Sequence, residues 1–214
     1  TGDDLLSVGG SVLNSNFFTF FGNDKILIND SIGNSHIDAG SGDDWVEIGN
    51  IEAYSSINLG NGNDYLHITE NSSQSKINTG ANDDTIIIEG DAIKTTINSG
   101  KGSDELNIGK ITNSTIFSDV GSDKIKVNND IFNSNIYTSN GDDIIDIGLS
   151  IINSFASTGK GDDFINVNKD IANSYIDTDQ GKDLIEINKG VSNTTVKTGE
   201  ENDSLKIGGA VNQS

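Results

Sequence analysis

The stretch GNGNDYLHI, residues 60–68, is the key to this chain because it recurs in altered wording at a fixed step. It appears as GSGDDWVEI at 40–48, GANDDTIII at 80–88 and GKGSDELNI at 100–108. Taking the second acidic position of each copy as a marker gives Asp4, Asp24, Asp44, Asp64, Asp84, Asp104, Asp123, Asp143, Asp163, Asp183 and Asp203. The step is twenty residues, with one step of nineteen between Asp104 and Asp123. Aliphatic residues stand two and four positions after every marker, from Leu6 and Val8 through Leu66 and Ile68 to Leu205 and Ile207. That alternation is the signature of a strand with one buried face.

A second alternating segment follows in each unit: Ser35, Ile37, Ala39; Ser75, Ile77, Thr79; Thr95, Ile97, Ser99; Ser134, Ile136, Thr138; Ser174, Ile176, Thr178. Two short strands cannot bury a face by themselves, so each unit must stack on its neighbours. No helical periodicity is available to cover the strands. The fold expected is all-β: a parallel β-solenoid of about ten stacked twenty-residue coils with two strands each, coils repeating at ~4.8 Å. Residues 1–214 read as one such array, uncapped at both ends, so either continuation of a longer array or end-to-end self-association is expected. An antiparallel β-sandwich would not need such fidelity of spacing. Asn precedes the inward Ser or Thr at positions 14, 34, 113, 133, 153, 173 and 193. This suits both a side-chain amide ladder and a simple turn residue.

Composition agrees with a thin core. Hydrophobic residues make up 33% of the 214, with 25 Gly and no Pro, Cys or Met. Without Cys there is neither a disulfide framework nor a thiolate metal site. Asp and Glu number 33 against 13 Lys, for a net charge of −20. Nucleic acid and anionic membranes are therefore excluded as partners, and cations are favoured. No apolar run is long enough to span a bilayer, so no membrane insertion is expected. Neither an initiator Met nor a signal peptide is present in the sequence.

Stacking would place the marker aspartates in one row, with neighbouring carboxylates ~5 Å apart and repelling by roughly 1 kcal/mol even in water. Only scattered Lys is available to neutralise the row. A hard divalent cation solves the problem, since Ca²⁺ takes six to eight oxygen ligands and accepts backbone carbonyls. Gly22, Gly40, Gly42, Gly60, Gly62, Gly80, Gly100, Gly102, Gly121, Gly141, Gly159, Gly161 and Gly181 precede the markers by two or four residues. There they allow the positive φ that turns carbonyls toward an ion.

AGSGDDWVE (39–47), LGNGNDYLH (59–67) and TGKGDDFIN (158–166) resemble the RTX, or haemolysin-type, calcium-binding nonapeptide GGxGxDxUx and its parallel β-roll. The resemblance extends once per coil over the whole chain. It implies that the markers of adjacent coils and the carbonyls of the glycine turn hold calcium ions, up to ten of them. Departures are the missing first Gly (Ala39, Leu59, Thr79), the second replaced at Phe20, Asp119, Ser139 and Asp179, and the third at Asn82 and Glu201. The opposite turn lacks the motif, so a single row of ions is expected. The family places such a chain outside the cell or at a bacterial cell surface, as a stalk, adhesin extender, surface-layer or fibril segment that folds on calcium.

Other functions fit less well. His36 and His67 lie in different strands and out of phase, and read as surface residues. Trp45 and Tyr65 follow markers in adjacent coils and should stack on the outer face, with carbohydrate stacking the alternative. Calcium-dependent ice-binding adhesin domains have a similar turn but use a regular Thr array. The matching positions here are Ser41, Asn61, Ala81, Lys101, Val120, Asn140, Lys160, Gln180 and Glu200. A polysaccharide lyase would need converging carboxylates, whereas Asp43 and Asp44 should face opposite sides. No enzymatic activity is expected.

Overall fold

A computed structural model describes residues 2–213. The chain winds as a parallel β-solenoid in which each strand pairs with its equivalent one coil on. Tyr65–Ile68 pairs with Thr85–Ile88, Lys124–Val127 with Ile144–Ile147, and Leu184–Ile187 with Ser204–Ile207, all parallel at an offset of twenty. Strands assemble into one sheet of eighteen and one of ten. The smaller carries the second strand of each unit, as in Asn135–Tyr137 on Phe155–Ser157.

The larger sheet has more strands than coils because each coil adds a third short segment to the two expected. Ile131–Phe132, Ile151–Ile152 and Ile171–Ala172 are two-residue strands in the turn opposite the marker. A third interior row explains them: Val12, Ile32, Ile51, Ser72, Ala92, Ile111, Ile131, Ile151, Ile171 and Val191 are all buried. The core is therefore lined from three sides. Ile86, Ile88 and Ile97 are fully buried in one coil. Interior packing of this density tolerates truncation poorly. Ile86→Ala is expected to cost about 2–5 kcal/mol, read as a lower denaturant midpoint in saturating calcium.

The asparagine row serves both of its sequence readings. Asn14, Asn34, Asn113, Asn133, Asn153, Asn173 and Asn193 all have φ between 46° and 52°, where Asn is tolerated better than most residues. At two steps the amides also bond along the axis, Asn34 Nδ2 to Asn14 Oδ1 at 2.6 Å and Asn193 Nδ2 to Asn173 Oδ1 at 2.8 Å.

The nineteen-residue step arises in the opposite turn. Ile88 aligns with Ile108, but Asp91 aligns with Lys110, so the missing residue lies at Gly109. An identical deletion is concealed three steps earlier in the marker series, at Gly49. Ile28 aligns with Ile48, yet Ser31 aligns with Asn50 and Ile32 with Ile51. An extra residue at 52–54 then restores the phase, since Ile51 aligns with Ser72.

Candidate metal centre

The turn that leads into each first strand alternates its side chains inward and outward. Asp44, Val46 and Ile48 share the interior face, while Asp43, Trp45 and Glu47 face out. The marker aspartates from Asp24 to Asp183 are consequently buried, each at most 2% exposed. Their parity with the core aliphatics was the available signal for this inward placement. The outer neighbour is separated from the interior by the backbone itself.

Each inner carboxylate caps the coil before it. Asp44 N–H donates to Asp64 Oδ1 at 2.8 Å, Asp64 N–H to Asp84 Oδ1 at 2.8 Å, and Asp104 N–H to Asp123 Oδ1 at 2.9 Å. The ladder runs from Asp4 to Asp203 without a gap. The outer row bonds in the opposite direction, as in Asn63 N–H to Asp43 Oδ1 at 2.8 Å and Asp162 N–H to Asp142 Oδ1 at 2.8 Å. Two adjacent residues thus tie each coil to both neighbours.

One oxygen of each buried inner carboxylate is left over. Oδ2 of Asp24, Asp44, Asp64, Asp84, Asp104, Asp123, Asp143, Asp163 and Asp183 is buried without a hydrogen-bond partner. Beside this line the hydroxyls of Ser99, Ser118 and Thr158 are also unpartnered. Buried polar groups are rarely orphaned, and nine in a row call for a missing partner of positive charge.

The carboxyl pKa values register the same deficit. Burial first, then neighbouring carboxylates, push Asp44, Asp123 and Asp163 up to about 6, Asp84 and Asp143 to about 7, and Asp64 to about 8. Asp104 and Asp183 are raised as well, chiefly by burial. A hydrogen bond from the preceding coil's backbone opposes the rise throughout. Nearby hydroxyls at Thr79, Ser99, Ser118, Thr138, Thr158 and Thr178 oppose it further by their polarity. Asp64 lacks that second contribution, because Leu59 occupies the hydroxyl position of its coil.

The glycines sit where the resemblance placed them. Gly40, Gly60, Gly80, Gly100 and Gly159 form one positive-φ row, and Gly22, Gly42, Gly62, Gly102, Gly121, Gly141, Gly161 and Gly181 another. The substituted turns keep that conformation: Phe20, Asn82, Asp119, Ser139, Asp179 and Glu201 have φ of 61–86°. At Gly62 φ is 136°, and a β-carbon would collide with the Gly42 carbonyl oxygen of the previous coil. Gly62→Ala should therefore cost at least ~2 kcal/mol, seen as a lower melting temperature in calcium.

Among the described residues no three Asp, Glu or His side chains converge on a point. A cation between coils would take two carboxylates and fill the rest of its shell with carbonyls and hydroxyls. That all-oxygen set suits Ca²⁺ better than softer metals. The Asp and Gly residues named from sequence are thus brought together along one edge. His36 and His67 are not: His36 bonds Ser56, and His67 bonds Glu89. Trp45 and Tyr65 stack on each other with ring centroids 4.1 Å apart, as expected, and Lys25 lies over the Trp45 ring. Each ring therefore covers one face of the other.

Fold and edge together define a class, the parallel β-solenoid with one oxygen-lined turn per coil. No family model and no curated protein matches the chain. Its structure is similar to the X-ray crystal structure of a hyperactive, Ca2+-dependent, β-helical antifreeze protein from an Antarctic bacterium, with a TM-score of 0.79 and 19% sequence identity. The likeness covers 99% of this chain and 80% of that one. At that identity it establishes the shared solenoid fold.

Proposed function

We propose that this chain is a calcium-clamped structural segment of a secreted or cell-surface bacterial protein, without enzymatic activity. The observation that carries the reading is the unbroken line of nine buried Oδ2 atoms with no partner. Calcium bound between coils would supply the positive charge and the ligand-hungry shell that this line lacks. The residues that would hold it are the markers from Asp4 to Asp203, with the backbone of the positive-φ turn. The chain's own contribution is to hold the carboxylates in register, at fixed depth and shielded from water.

Such a segment stays unfolded where calcium is scarce and folds where it is millimolar, because binding energy at an interface between coils is folding energy. The test is calcium titration followed by circular dichroism and by calorimetric stoichiometry. The reading requires a gain of β signal and several ions per chain. A β spectrum indifferent to chelator at neutral pH, with no calcium uptake, would sink it.

Ice binding is the second reading, favoured by the antifreeze activity of the structural neighbour. The outward positions of the same turn argue against it here. Lys101, Val120, Lys160, Lys182 and Glu200 interrupt any regular small polar array. Thermal hysteresis by the calcium-loaded protein would reverse this ranking.

A further inference from the structure

A solenoid of identical coils offers the same surface everywhere, so a site for a discrete ligand needs a place where the repeat breaks. Three departures coincide on the turn opposite the markers, in the coils following Asp44, Asp64 and Asp84. The coil after Asp44 loses a residue at Gly49 and regains it at 52–54. The interior Ile row changes to Ser72 and Ala92, and buried hydroxyls of Ser72, Ser75 and Thr95 bond one another beneath the surface. The positive-φ asparagine row becomes Tyr54, Gln74 and Lys94, with φ of 49–65°.

These changes shape an open groove of about 550 Å³. Its two visible rows are Tyr54, Gln74 and Lys94, and alongside them Ser56, Lys76 and Thr96, the latter three aligned strand to strand. Tyr54 is 78% exposed and has no aromatic partner, unlike the stacked Trp45 and Tyr65. Among the described residues neither Lys76 nor Lys94 is in an ion pair, although the chain carries 33 carboxylates. Two uncompensated ammonium groups beside an exposed ring, an amide and the Thr96 hydroxyl are unusual on so acidic a molecule.

We infer that this groove binds a carboxylate-bearing saccharide. Tyr54 would stack on a sugar ring, Lys76 and Lys94 would receive the carboxylate, and Gln74 and Thr96 would bond ring hydroxyls. A phenol face suits the apolar side of a pyranose. Charge-assisted bonds from the lysines provide the preference for an acidic over a neutral sugar. Repulsion by the surrounding carboxylates restricts an anionic ligand to this patch.

The site is separate from the calcium turn, so it can be tested on calcium-saturated protein whose fold is checked first by circular dichroism. Glucuronate at millimolar concentration is the probe, glucose its neutral counterpart, and backbone amide chemical shifts the readout. Glucuronate should shift amides at 54–56, 74–76 and 94–96, and glucose should bind at least severalfold more weakly. The variant Y54N/Q74N/K94N restores the asparagine found in most other coils, so it should fold at least as well as the parent. It should lose about tenfold or more in glucuronate affinity. Absent shifts at these amides, equal binding of glucose, or unchanged affinity in the triple variant would each overturn the assignment.

Discussion

Without calcium, this protein should become less stable as pH rises from about 4 to 8; with saturating calcium, the slope should reverse. The metal-free direction follows from the raised carboxyls. In the unfolded chain an aspartate ionises near 3.8, whereas in the fold the interior row reaches about 6 at Asp44, 7 at Asp143 and 8 at Asp64. Between those limits the folded state holds more protons than the unfolded one. Its stability is complete below 3.8 and declines until the last interior carboxyl has ionised. Each carboxyl still protonated in the fold adds about 1.4 kcal/mol per pH unit to the slope. Calcium requires the ionised form, so in its presence protons compete with the ion and acid becomes destabilising. Urea midpoints in calcium at pH 5 and pH 8, and the β signal in chelator at the same two pH values, test both arms. A β signal in chelator that does not fall between pH 5 and 8 would show that the row is not desolvated as described. Acid should therefore replace calcium in part, yielding a β spectrum in chelator at pH 5 that is lost at pH 8.

The period of the chain and two of its three interior rows were legible in sequence because strand alternation repeats with every marker. The third row escaped notice since Ile131 or Ile171 stands alone between turn residues, and a two-residue strand leaves no periodicity to detect. The inward aspect of the marker was readable in principle. Asp64, Leu66 and Ile68 have the same parity, so a buried aliphatic pair predicts a buried carboxylate. What sequence spacing concealed is the groove. Marker intervals around Asp44 and Asp64 are both twenty, and the deletion at Gly49 cancels against the insertion at 52–54. Tracking the third row would have exposed it, because Ile32 to Ile51 is nineteen and Ile51 to Ser72 twenty-one. Phe20, Asn82 and Glu201 depart from the glycine of the motif, yet all three hold a positive φ like the glycines they replace.

Asp64→Asn should have opposite effects on stability with and without calcium, while Asp43→Asn, the same chemical change elsewhere in the turn region, should have almost none. Asp64 is buried above Leu59, its Oδ1 accepts the Asp44 N–H, and its Oδ2 has no partner. Asparagine keeps the accepting oxygen and removes the desolvated charge. With chelator at pH 8, where the parent has lost its β spectrum, the substitution should favour the fold by a few kcal/mol and restore part of the β signal, because a carboxyl at about 8 instead of 3.8 costs heavily for its burial. In calcium it removes a carboxylate shared by the ions on either side, so the melting temperature should fall and stoichiometry should drop by one or two. Asp43 points outward and its Oδ1 accepts the Asn63 N–H, a bond that asparagine retains. Its substitution should stay within ~0.5 kcal/mol under both conditions. If both variants respond alike, net charge rather than an interior ion site governs the folding of this chain. If only Asp64→Asn changes sign between chelator and calcium, the ion lies inside the coil turn, on the face that Asp64 shares with Leu66 and Ile68.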